Sequence, residues 1–327
     1  MDKKIKVGII GGAGYTGGEL IRLLVNHPLA DLIFVHSKSN AGKPLHAVHQ
    51  DLINEADIKF SSATNDDIDV LFLCTGHGDS KKFLEENEVP VHVKIISLSQ
   101  DFRLKANSVI KGKTFIYGLP EINREKIKSA EYIANPGCFA SAIELGLLPL
   151  AKVDEVKDVY TTGITGSTGA GQTLSATSHF SWRQNNIQAY KSLTHQHLAE
   201  INESLDFLSG SQAASIHFIP WRGDFARGIF ITSQLKSSRG FDDIYKLYNE
   251  FYKDHPFVKV SMEPIFLKQV VNTNYCFIHL EKEEDNLVVH STLDNLLKGA
   301  SGQALQNMNL MFNIEETMGL KLKANYF

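Results

Sequence analysis

The chain has 327 residues, of which 43% are hydrophobic and 21% are charged, a composition typical of a globular protein with room for two domains. A formal net charge of −4 without long runs of like charge argues against a nucleic-acid-binding surface. No apolar run is long enough to span a bilayer, and the first residues lack the small-residue cleavage site of a signal peptide. We therefore expect a cytoplasmic protein without a membrane or nucleic-acid partner.

The first half of the sequence alternates short apolar strands with amphipathic segments. Strands are predicted at Lys4–Ile10, Asp31–Ser37, Asp69–Gly76 and Lys94–Ser99. A helix follows the first strand and ends before Pro28. This alternation predicts an α/β domain of the Rossmann type, a parallel sheet with helices on both faces.

A glycine-rich turn, "GGAGYTG", joins the first predicted strand to that helix. It fits GxGxxG through Gly12, Gly14 and Gly17, and it equally fits GxxGxxG starting at Gly11. Glycines let the backbone approach a pyrophosphate, which then sits on the helix N-terminus. The alternative is a tight strand–helix turn with no ligand. We expect a dinucleotide site made by Gly11, Gly12, Gly14, Tyr15, Thr16 and Gly17.

The residues after the second strand, "HSKSNAG", indicate which dinucleotide binds. An NAD site usually has an acidic residue here for the ribose 2′-hydroxyl, and no acid occurs between Phe34 and Leu45. Lys38 instead lies between Ser37 and Ser39. A cation between two hydroxyls suits a 2′-phosphate, so NADP is the expected cofactor. The alternative is that Lys38 is an ordinary surface lysine.

Cys138 follows a Pro-Gly turn at the predicted start of a helix. Backbone N–H groups and the helix dipole at such a position stabilise a thiolate and can hold an oxyanion. A thiol with an ordinary pKa near ~8.5 needs a base, and "THQHLAEI" offers His195 and His197. Cys74 and Cys276 lie in apolar strands, where we expect them to be core residues.

The three cysteines have no paired spacing, which argues against a disulfide framework or a zinc knuckle and suits a reducing compartment. The H-x-H pair could bind a metal ion, but no third ligand has a suitable spacing. We therefore expect no metal site.

After Pro149 the predicted strands are longer and more amphipathic. They occupy Val156–Gly166, Ala213–Pro220, Ala226–Leu235, Asn274–Glu281 and Asn286–Asp294, with helices near His197–Phe207 and at Phe241–Tyr252. This pattern predicts an α+β domain with a largely antiparallel sheet. The last segment regains helical spacing, with a stripe made by Ala300, Ala304, Met308 and Met311.

Three arginines and a second glycine-rich loop remain as candidate site residues. Arg103 follows a predicted strand in "LSQDFR", and Arg222 and Arg227 lie in "HFIPWRGDFARG". Each can clamp a carboxylate or phosphate, and each can equally form a surface ion pair. The loop "GSTGAGQ", Gly166–Gln172, either passes close to the cofactor or is only a turn.

Together these segments resemble the N-acetyl-gamma-glutamyl-phosphate reductase family, of the wider aspartate-semialdehyde dehydrogenase type. The resemblance covers nearly the whole chain. It is carried by "GIIGGAGYTGGELIRLL", "SNAGKPL", "LSQDFRL", "YGLPEINRE", "NPGCFAS", "GSTGAG", "AYKSLTHQH", "RGIFIT" and "DNLLKGASGQALQNMNLMF".

The resemblance implies roles for particular residues. Cys138 would be the nucleophile, His195 the general acid–base and His197 a substrate contact. Arg103 would bind phosphate, and Arg227 would be a substrate arginine. Asn295 would lie near the nicotinamide, and Gly169 would contact the cofactor.

The resemblance also implies a domain plan. A dinucleotide-binding domain would comprise 1–137 and 296–327, with the C-terminal helix folding back, and a catalytic α+β domain would comprise 138–295. A homodimer or homotetramer is expected, acting on a small-molecule substrate and phosphate.

The implied reaction is the NADPH-dependent reduction of N-acetyl-L-glutamyl 5-phosphate to the 5-semialdehyde through a cysteine thioester, a step of arginine biosynthesis. Open alternatives are the same reaction on N-succinyl-glutamyl, N-acyl-aminoadipyl or aspartyl phosphate, a non-catalytic NADP-binding sensor, and a Cys–His hydrolase. The sequence departs from the family pattern at Gln196, where arginine is usual, and within Trp221–Phe225, where a change in acyl-group preference could lie.

Overall fold

The computed structural model describes residues 4–210 and 215–327. The chain forms two compact units. The first takes the chain up to Pro136 and adds Ala300–Lys321, and the second takes Gly137–Gly299 and Leu322–Phe327. Within the described ranges, no helix combines the length and apolarity needed to cross a membrane.

The first unit is built on a parallel sheet. The strands of this sheet are β1 (Ile5–Ile10), β2 (Ala30–His36), β3 (Phe60–Ser61), β4 (Val70–Leu73), β5 (Lys94–Ser97), β8 (Ile116–Tyr117) and β9 (Tyr132–Ala134). A separate small hairpin is formed by β6 (Val109–Ile110) and β7 (Lys113–Thr114). Among the described residues the sheet has seven strands in the order β3-β2-β1-β4-β5-β9-β8, all paired in parallel. Its helices are α1 (Tyr15–Val25), α2 (Asp79–Glu86) and α3 (Pro120–Ser129).

The sheet register aligns the strand ends that carry the predicted cofactor residues. Ile10 at the end of β1 pairs with His36 in β2 and with Leu73 in β4. The glycine turn after β1 and the Lys38 segment after β2 therefore leave the sheet at the same edge. This is where parallel α/β sheets bind their ligands, and the predicted Rossmann-type arrangement is confirmed.

The second unit contains a mixed sheet. Its strands are β10 (Asp158–Thr165), β11 (Gln188–Ala189), β12 (Ser215–Arg222), β13 (Ile229–Lys236), β14 (Val258–Ser261), β15 (Cys276–Glu283) and β16 (Asn286–Leu293). The spatial order is β11-β12-β10-β13-β16-β15-β14. Over the described residues, β10–β12 and β14–β15 are parallel and the other pairings are antiparallel. The predicted largely antiparallel sheet is thus confirmed, although Ala213 and Ala214 of one predicted strand lie outside the described residues.

In its described residues the second unit has four α-helices: α4 (Cys138–Lys152), α5 (Phe180–Arg183), α6 (Leu198–Ser209) and α7 (Phe241–Tyr252). Helix α4 is its centre, because every residue from Phe139 to Ala151 is buried. Pro149 within α4 cannot donate to the carbonyl of Leu145, and the Tyr252 hydroxyl of α7 donates to that carbonyl instead. The neighbouring carbonyl of Gly146 accepts the Tyr248 hydroxyl at 2.6 Å.

The C-terminal helix, α8 (Gly302–Met311), follows a π-turn at Leu297–Ser301 and belongs to the first unit. All of its residues are buried, so the predicted stripe of small and apolar residues does not define a single buried face. Its amides find partners inside the unit: Asn307 Nδ2 donates to the carbonyl of Gly118 at 2.9 Å. Because buried amides must be hydrogen-bonded, these contacts hold α8 in one position.

Candidate active site

Cys138 is the first residue of α4, as predicted, and Gly137 is the helix N-cap. As a glycine, Gly137 supplies no side-chain cap to the first turn of α4. Cys138 is half-buried, whereas Cys74 and Cys276 are buried, which confirms the prediction that those two are core residues. Burial raises the pKa of the Cys74 thiol to about 12. Cys138 therefore combines partial access with a helix N-terminus, the setting in which a thiolate is stabilised.

Gly299, in the turn Leu297–Ser301, lies directly against Cys138. A Cβ atom on Gly299 would lie 2.9 Å from the Cys138 Cβ, closer than side chains normally approach. The Gly299 N–H donates to the carbonyl of Asp294 at 2.9 Å, which fixes this approach. Only glycine fits at this point, so the segment after β16 forms one wall beside the thiol.

His195 and His197 lie together just before α6 and at its start, with 4% and 6% of their surfaces exposed. Their ring centroids are 4.6 Å apart and the rings are nearly perpendicular. The backbone N–H of His197 donates to His195 Nδ1 at 3.3 Å. A neutral His195 therefore carries its proton on Nε2. Burial lowers the pKa of His195 to about 4, with a smaller contribution from the Lys191 ammonium.

Aromatic side chains connect these histidines to the nucleophile. The ring of Phe139, the residue after Cys138, meets the His195 ring edge-on at 5.4 Å. Tyr190 meets His195 on another side, with ring centroids 5.9 Å apart. The pKa of Tyr190 is raised, first by burial and then by the charge of the Cys138 thiolate. The fold thus brings Cys138, His195 and His197 into one cluster.

Glu200 of α6 belongs to the same cluster and was not predicted. It is 4% exposed, its Oε2 accepts the Gly137 N–H at 3.0 Å, and its Oε1 lies 3.8 Å from His197 Nε2. Tyr190 was also missed as a site residue. A signal existed for Glu200, since an acid three residues after a helix-starting histidine lies on the same helical face.

Arg227 contacts a buried carboxylate. Its Nε and Nη2 donate to the two oxygens of Asp294 at 3.0 and 3.1 Å, and Asp294 is fully buried. Asp294 also accepts the backbone N–H groups of Asn272 and Leu296 at 2.7 and 2.8 Å. The pair is a fork-on-carboxylate contact, the strong form of an arginine ion pair. It anchors the chain where β16 ends.

Asn295 and Gly169, both predicted cofactor contacts, are neighbours in the second unit. Asn295 Oδ1 accepts the Gly228 N–H at 2.7 Å, and its Nδ2 donates to Thr168 Oγ1 at 2.9 Å. A Cβ atom on Gly169 would lie 3.9 Å from that same Nδ2. The glycine-rich loop and the segment after β16 are therefore held together by one amide side chain.

The glycine turn of the first unit fits a dinucleotide. Gly14 is the N-cap of α1, and among the described residues no side chain caps this helix, which leaves its first turn open to an anion. A Cβ atom on Gly17 would lie 2.7 Å from the Gly11 carbonyl oxygen. The helix therefore packs closely on the turn, as the fingerprint requires. At the same edge Gly12 N–H donates to the His36 carbonyl at 3.1 Å.

A buried histidine missed in the sequence supports this turn. His49 is 5% exposed, and its Nε2 lies 2.7 Å from the carbonyl oxygen of Gly12. Its ring takes the space beside Gly18, where a Cβ atom would approach His49 Cε1 to 2.4 Å. The available signal was Gly18, a further glycine outside either spacing pattern.

The segment after β2 presents cations and hydroxyls. Lys38 and Ser39 are exposed and Ser37 is buried. Asn40 Nδ2 lies 3.3 Å from the hydroxyls of both serines, and Lys43 Nζ donates to Asn40 Oδ1 at 3.2 Å. Two lysines, Lys38 and Lys43, therefore lie at this edge, and only Lys38 was predicted as a site residue. These groups fit a nucleotide that carries a 2′-phosphate.

Arg103, the predicted phosphate ligand, is 7% exposed. Its Nε donates to the carbonyl of Asn135 at 2.8 Å and its Nη2 to the carbonyl of Leu98 at 2.9 Å. These two hydrogen bonds hold the main chain at Leu98 and at Asn135, three residues before Cys138. Within 4–210 and 215–327, no group of three or more His, Cys, Asp or Glu side chains is placed to hold a metal ion.

Two domain families match the chain. Residues 6–130 match the family described as semialdehyde dehydrogenase, NAD binding domain, and residues 138–295 match semialdehyde dehydrogenase, dimerisation domain. Two solved structures share the fold. Aspartate semialdehyde dehydrogenase II from Vibrio cholerae has a TM-score of 0.75 at 14% identity, covering 95% of this chain and 99% of that one. Aspartate semialdehyde dehydrogenase with NADP from Candida albicans has a TM-score of 0.68 at 13% identity and the same coverage.

Sequence relatives are much closer. The N-acetyl-gamma-glutamyl-phosphate reductase of Christiangramia forsetii is 55% identical over 324 residues, covering 99% of this chain and all of that protein. That of Bacteroides thetaiotaomicron is 55% identical over 325 residues with the same coverage. Identity at this level over whole chains confirms the resemblance, and the chain belongs to the N-acetyl-gamma-glutamyl-phosphate reductase family.

Proposed function

We propose that the protein reduces N-acetyl-L-glutamyl 5-phosphate to N-acetyl-L-glutamate 5-semialdehyde with NADPH, in arginine biosynthesis. The observation that carries the proposal is that Cys138 begins α4 and that the ring of the next residue, Phe139, meets His195, which lies against His197. The names of its relatives favour this substrate over N-succinyl-glutamyl, N-acyl-aminoadipyl and aspartyl phosphates.

In the first step the Cys138 thiolate attacks the acyl carbonyl carbon of the substrate. The tetrahedral oxyanion that forms is held by the first-turn N–H groups of α4. When it collapses, the C–O bond to phosphate breaks, phosphate leaves with the electron pair, and a thioester remains on Cys138. Covalent capture helps because a thioester accepts hydride far more readily than a free carboxylate.

His195 is the proposed acid–base group. Because its Nδ1 accepts the His197 N–H, its Nε2–H is the donor available to the oxyanions of both tetrahedral intermediates. The low pKa of His195, about 4, keeps the ring neutral near pH 7, so Nε2 retains the proton that it offers to these oxyanions. We propose that Arg103, His197 and Arg227 contact the substrate.

Bound NADPH would supply the hydride needed to reduce the thioester to the aldehyde. We propose that its pyrophosphate is held by the glycine turn, Gly11–Gly17, and its 2′-phosphate by Ser37, Lys38 and Ser39. Asn295 and Gly169 would face the nicotinamide end. In this plan 1–137 and 296–327 form the cofactor domain and 138–295 the catalytic domain.

The assembly and compartment are also part of the proposal. A match to a domain described as a dimerisation domain supports a homodimer or homotetramer. We place it in the cytoplasm, where it would act on a small-molecule substrate and phosphate without a nucleic-acid or membrane partner.

The test is phosphate-dependent reduction of NADP in the oxidative direction, with N-acetylglutamate, N-succinylglutamate and aspartate semialdehydes compared. We expect the N-acetyl compound to have the highest kcat/KM, and Cys138→Ser to abolish turnover while retaining NADP binding. Cys74→Ser, at a core thiol, is the matched control. NADP binding without turnover would indicate a sensor, and turnover without NADP would indicate a hydrolase; either result contradicts the proposal.

A further inference from the structure

The segment His217–Gly228 carries two arginines whose surroundings differ. The guanidinium of Arg227 holds the buried Asp294 with two hydrogen bonds. Arg222, the last residue of β12, forms no ion pair with any carboxylate in residues 4–210 or 215–327. It is only half-buried, so an anion can reach it.

Arg222 is held in place by Tyr190. Its guanidinium carbon lies over the Tyr190 ring, 4.8 Å from the centroid, and the positive charge of Arg222 lowers the pKa of the Tyr190 hydroxyl, against the larger raising effect of burial. The strands that carry them are paired, because Ala189 of β11 lies opposite Trp221 of β12. A stacked guanidinium has lost much of its side-chain freedom, so less is lost when it binds an anion.

A second cation stands nearby. Arg183 donates to the carbonyl of Gly223, and its pKa is lowered by burial and by the positive charge of Arg222. The acid in this region, Asp224, is exposed and accepts the backbone N–H of Asn185. Two half-buried guanidinium groups that repel each other favour an anion between or beside them.

Tyr190 connects this cation to the reacting groups. Its ring meets His195 at 5.9 Å, and a negative charge on Cys138 raises the pKa of its hydroxyl. Arg222 therefore lies one side chain away from the thiol–histidine cluster. A substrate bound as a thioester on Cys138 would place its anionic group about one side chain away from the thiol.

We propose that Arg222 binds the α-carboxylate of the substrate and that Tyr190 is its positioning residue. This inference rests on the proposed function, and it assigns the carboxylate to Arg222 rather than to Arg227, whose fork already holds Asp294. The α-carboxylate suits Arg222 because side-chain carbons separate it from the reacting carbonyl. The phosphate, by contrast, is bonded to that carbonyl.

The experiment measures the KM for N-acetylglutamate semialdehyde and for phosphate separately in the oxidative direction. Arg222→Ala should raise the semialdehyde KM about 30-fold or more, the low end for truncating a desolvated charged partner. The phosphate KM should change less than about twofold, since Arg222 does not touch it in this proposal. Tyr190→Phe, which keeps the ring but loses the hydroxyl, should show a smaller rise in the semialdehyde KM alone.

A substrate lacking the carboxylate sharpens the test. 4-Acetamidobutanal is N-acetylglutamate semialdehyde without its α-carboxylate. The unsubstituted enzyme should have a much lower kcat/KM for 4-acetamidobutanal than for N-acetylglutamate semialdehyde. In Arg222→Ala the two kcat/KM values should be nearly equal. Arg239→Ala, at a surface arginine paired with Glu155, is the control expected to preserve both KM values.

The outcomes separate this inference from the proposed function. An equal fall in kcat/KM for both aldehydes in Arg222→Ala, or a rise in its phosphate KM alone, would overturn the carboxylate assignment. An unchanged semialdehyde KM in an Arg222→Ala enzyme that folds and labels fully at Cys138 would also overturn it. If the unsubstituted enzyme oxidises no semialdehyde with phosphate, the proposed function itself fails.

Discussion

The main-chain N–H of Gly137 donates to Glu200 Oε2 at 3.0 Å, and this bond joins the turn before the nucleophile to helix α6. The arrangement resembles a capping box in which the acid comes from a distant helix instead of the third residue of the same one. The second oxygen of Glu200 faces His197 Nε2 at 3.8 Å. One buried carboxylate therefore sets the relative position of α4 and the histidine pair.

We expect Glu200→Ala to lower kcat by about 10- to 100-fold and to cost about 1–3 kcal/mol of unfolding free energy, because the buried Gly137 N–H loses its acceptor. Glu200→Gln keeps an acceptor oxygen but removes the charge facing His197. It should therefore retain most of the stability while changing the pH profile of kcat. Glu203→Gln, on the exposed side of α6, is the control. A Glu200→Ala enzyme with undiminished kcat would show that Glu200 positions nothing of consequence.

His195 should make stability depend on pH. Its pKa is about 4 in the fold against an ordinary value of 6.5, so between these values the unfolded chain binds a proton that the folded chain does not. Stability is therefore present above pH ~6.5 and falls as the pH drops toward ~4, by on the order of 3 kcal/mol from this group.

Denaturant unfolding of the unsubstituted protein and of His195→Asn at pH 7 and pH 5 isolates this contribution, because the other titrating groups are shared. The variant should lose less stability on acidification and should turn over about 10²–10⁴-fold more slowly. Identical losses of stability in the two proteins would mean that His195 titrates normally in the fold.

His49 and Gly18 should show strong coupling. Gly18→Ala places a Cβ atom against the His49 ring, so it should destabilise the protein and weaken NADPH binding measured by nicotinamide fluorescence. In a His49→Ala background the ring is absent, and Gly18→Ala should be neutral or stabilising by up to ~1 kcal/mol, the gain of alanine over glycine in a helix. Additive effects of the two substitutions would contradict this relationship.

Lys38→Glu should shift the cofactor preference from NADP toward NAD. The carboxylate would repel a 2′-phosphate and could accept a hydrogen bond from a ribose 2′-hydroxyl. Measured dissociation constants for both cofactors test this, and Lys246→Glu, the same charge change at an exposed position of α7, is the control. If the ratio of the two constants stays fixed, Lys38 is only a surface lysine.

Much of the fold was readable from local sequence. Strand–helix alternation before residue 130 predicted the parallel sheet, and the long amphipathic strands after Pro149 predicted the largely antiparallel one. The Pro-Gly turn predicted that α4 begins at Cys138. These features depend on periodicity and turn chemistry within a few residues, and neither depends on what the segment packs against.

The C-terminal stripe shows where periodicity fails. Its spacing suggested one buried face, but α8 is buried on every side, and Nδ2 of Asn307 donates to the distant Gly118 carbonyl. A pattern reports which residues are apolar. It cannot report that buried amides on the other face will find hydrogen-bond acceptors.

The contacts that define the site were decided by tertiary structure alone. Glu200 meets Gly137, Arg222 stacks on Tyr190, and His49 supports Gly12 across long sequence separations. Each contact depends on strand order and on how helices pack within a unit, and no local preference encodes either. The sequence by itself therefore determined which residues could do chemistry. Only the packed fold decided which side chain each one would meet, because a buried polar group must bond to whatever partner the packing brings within reach.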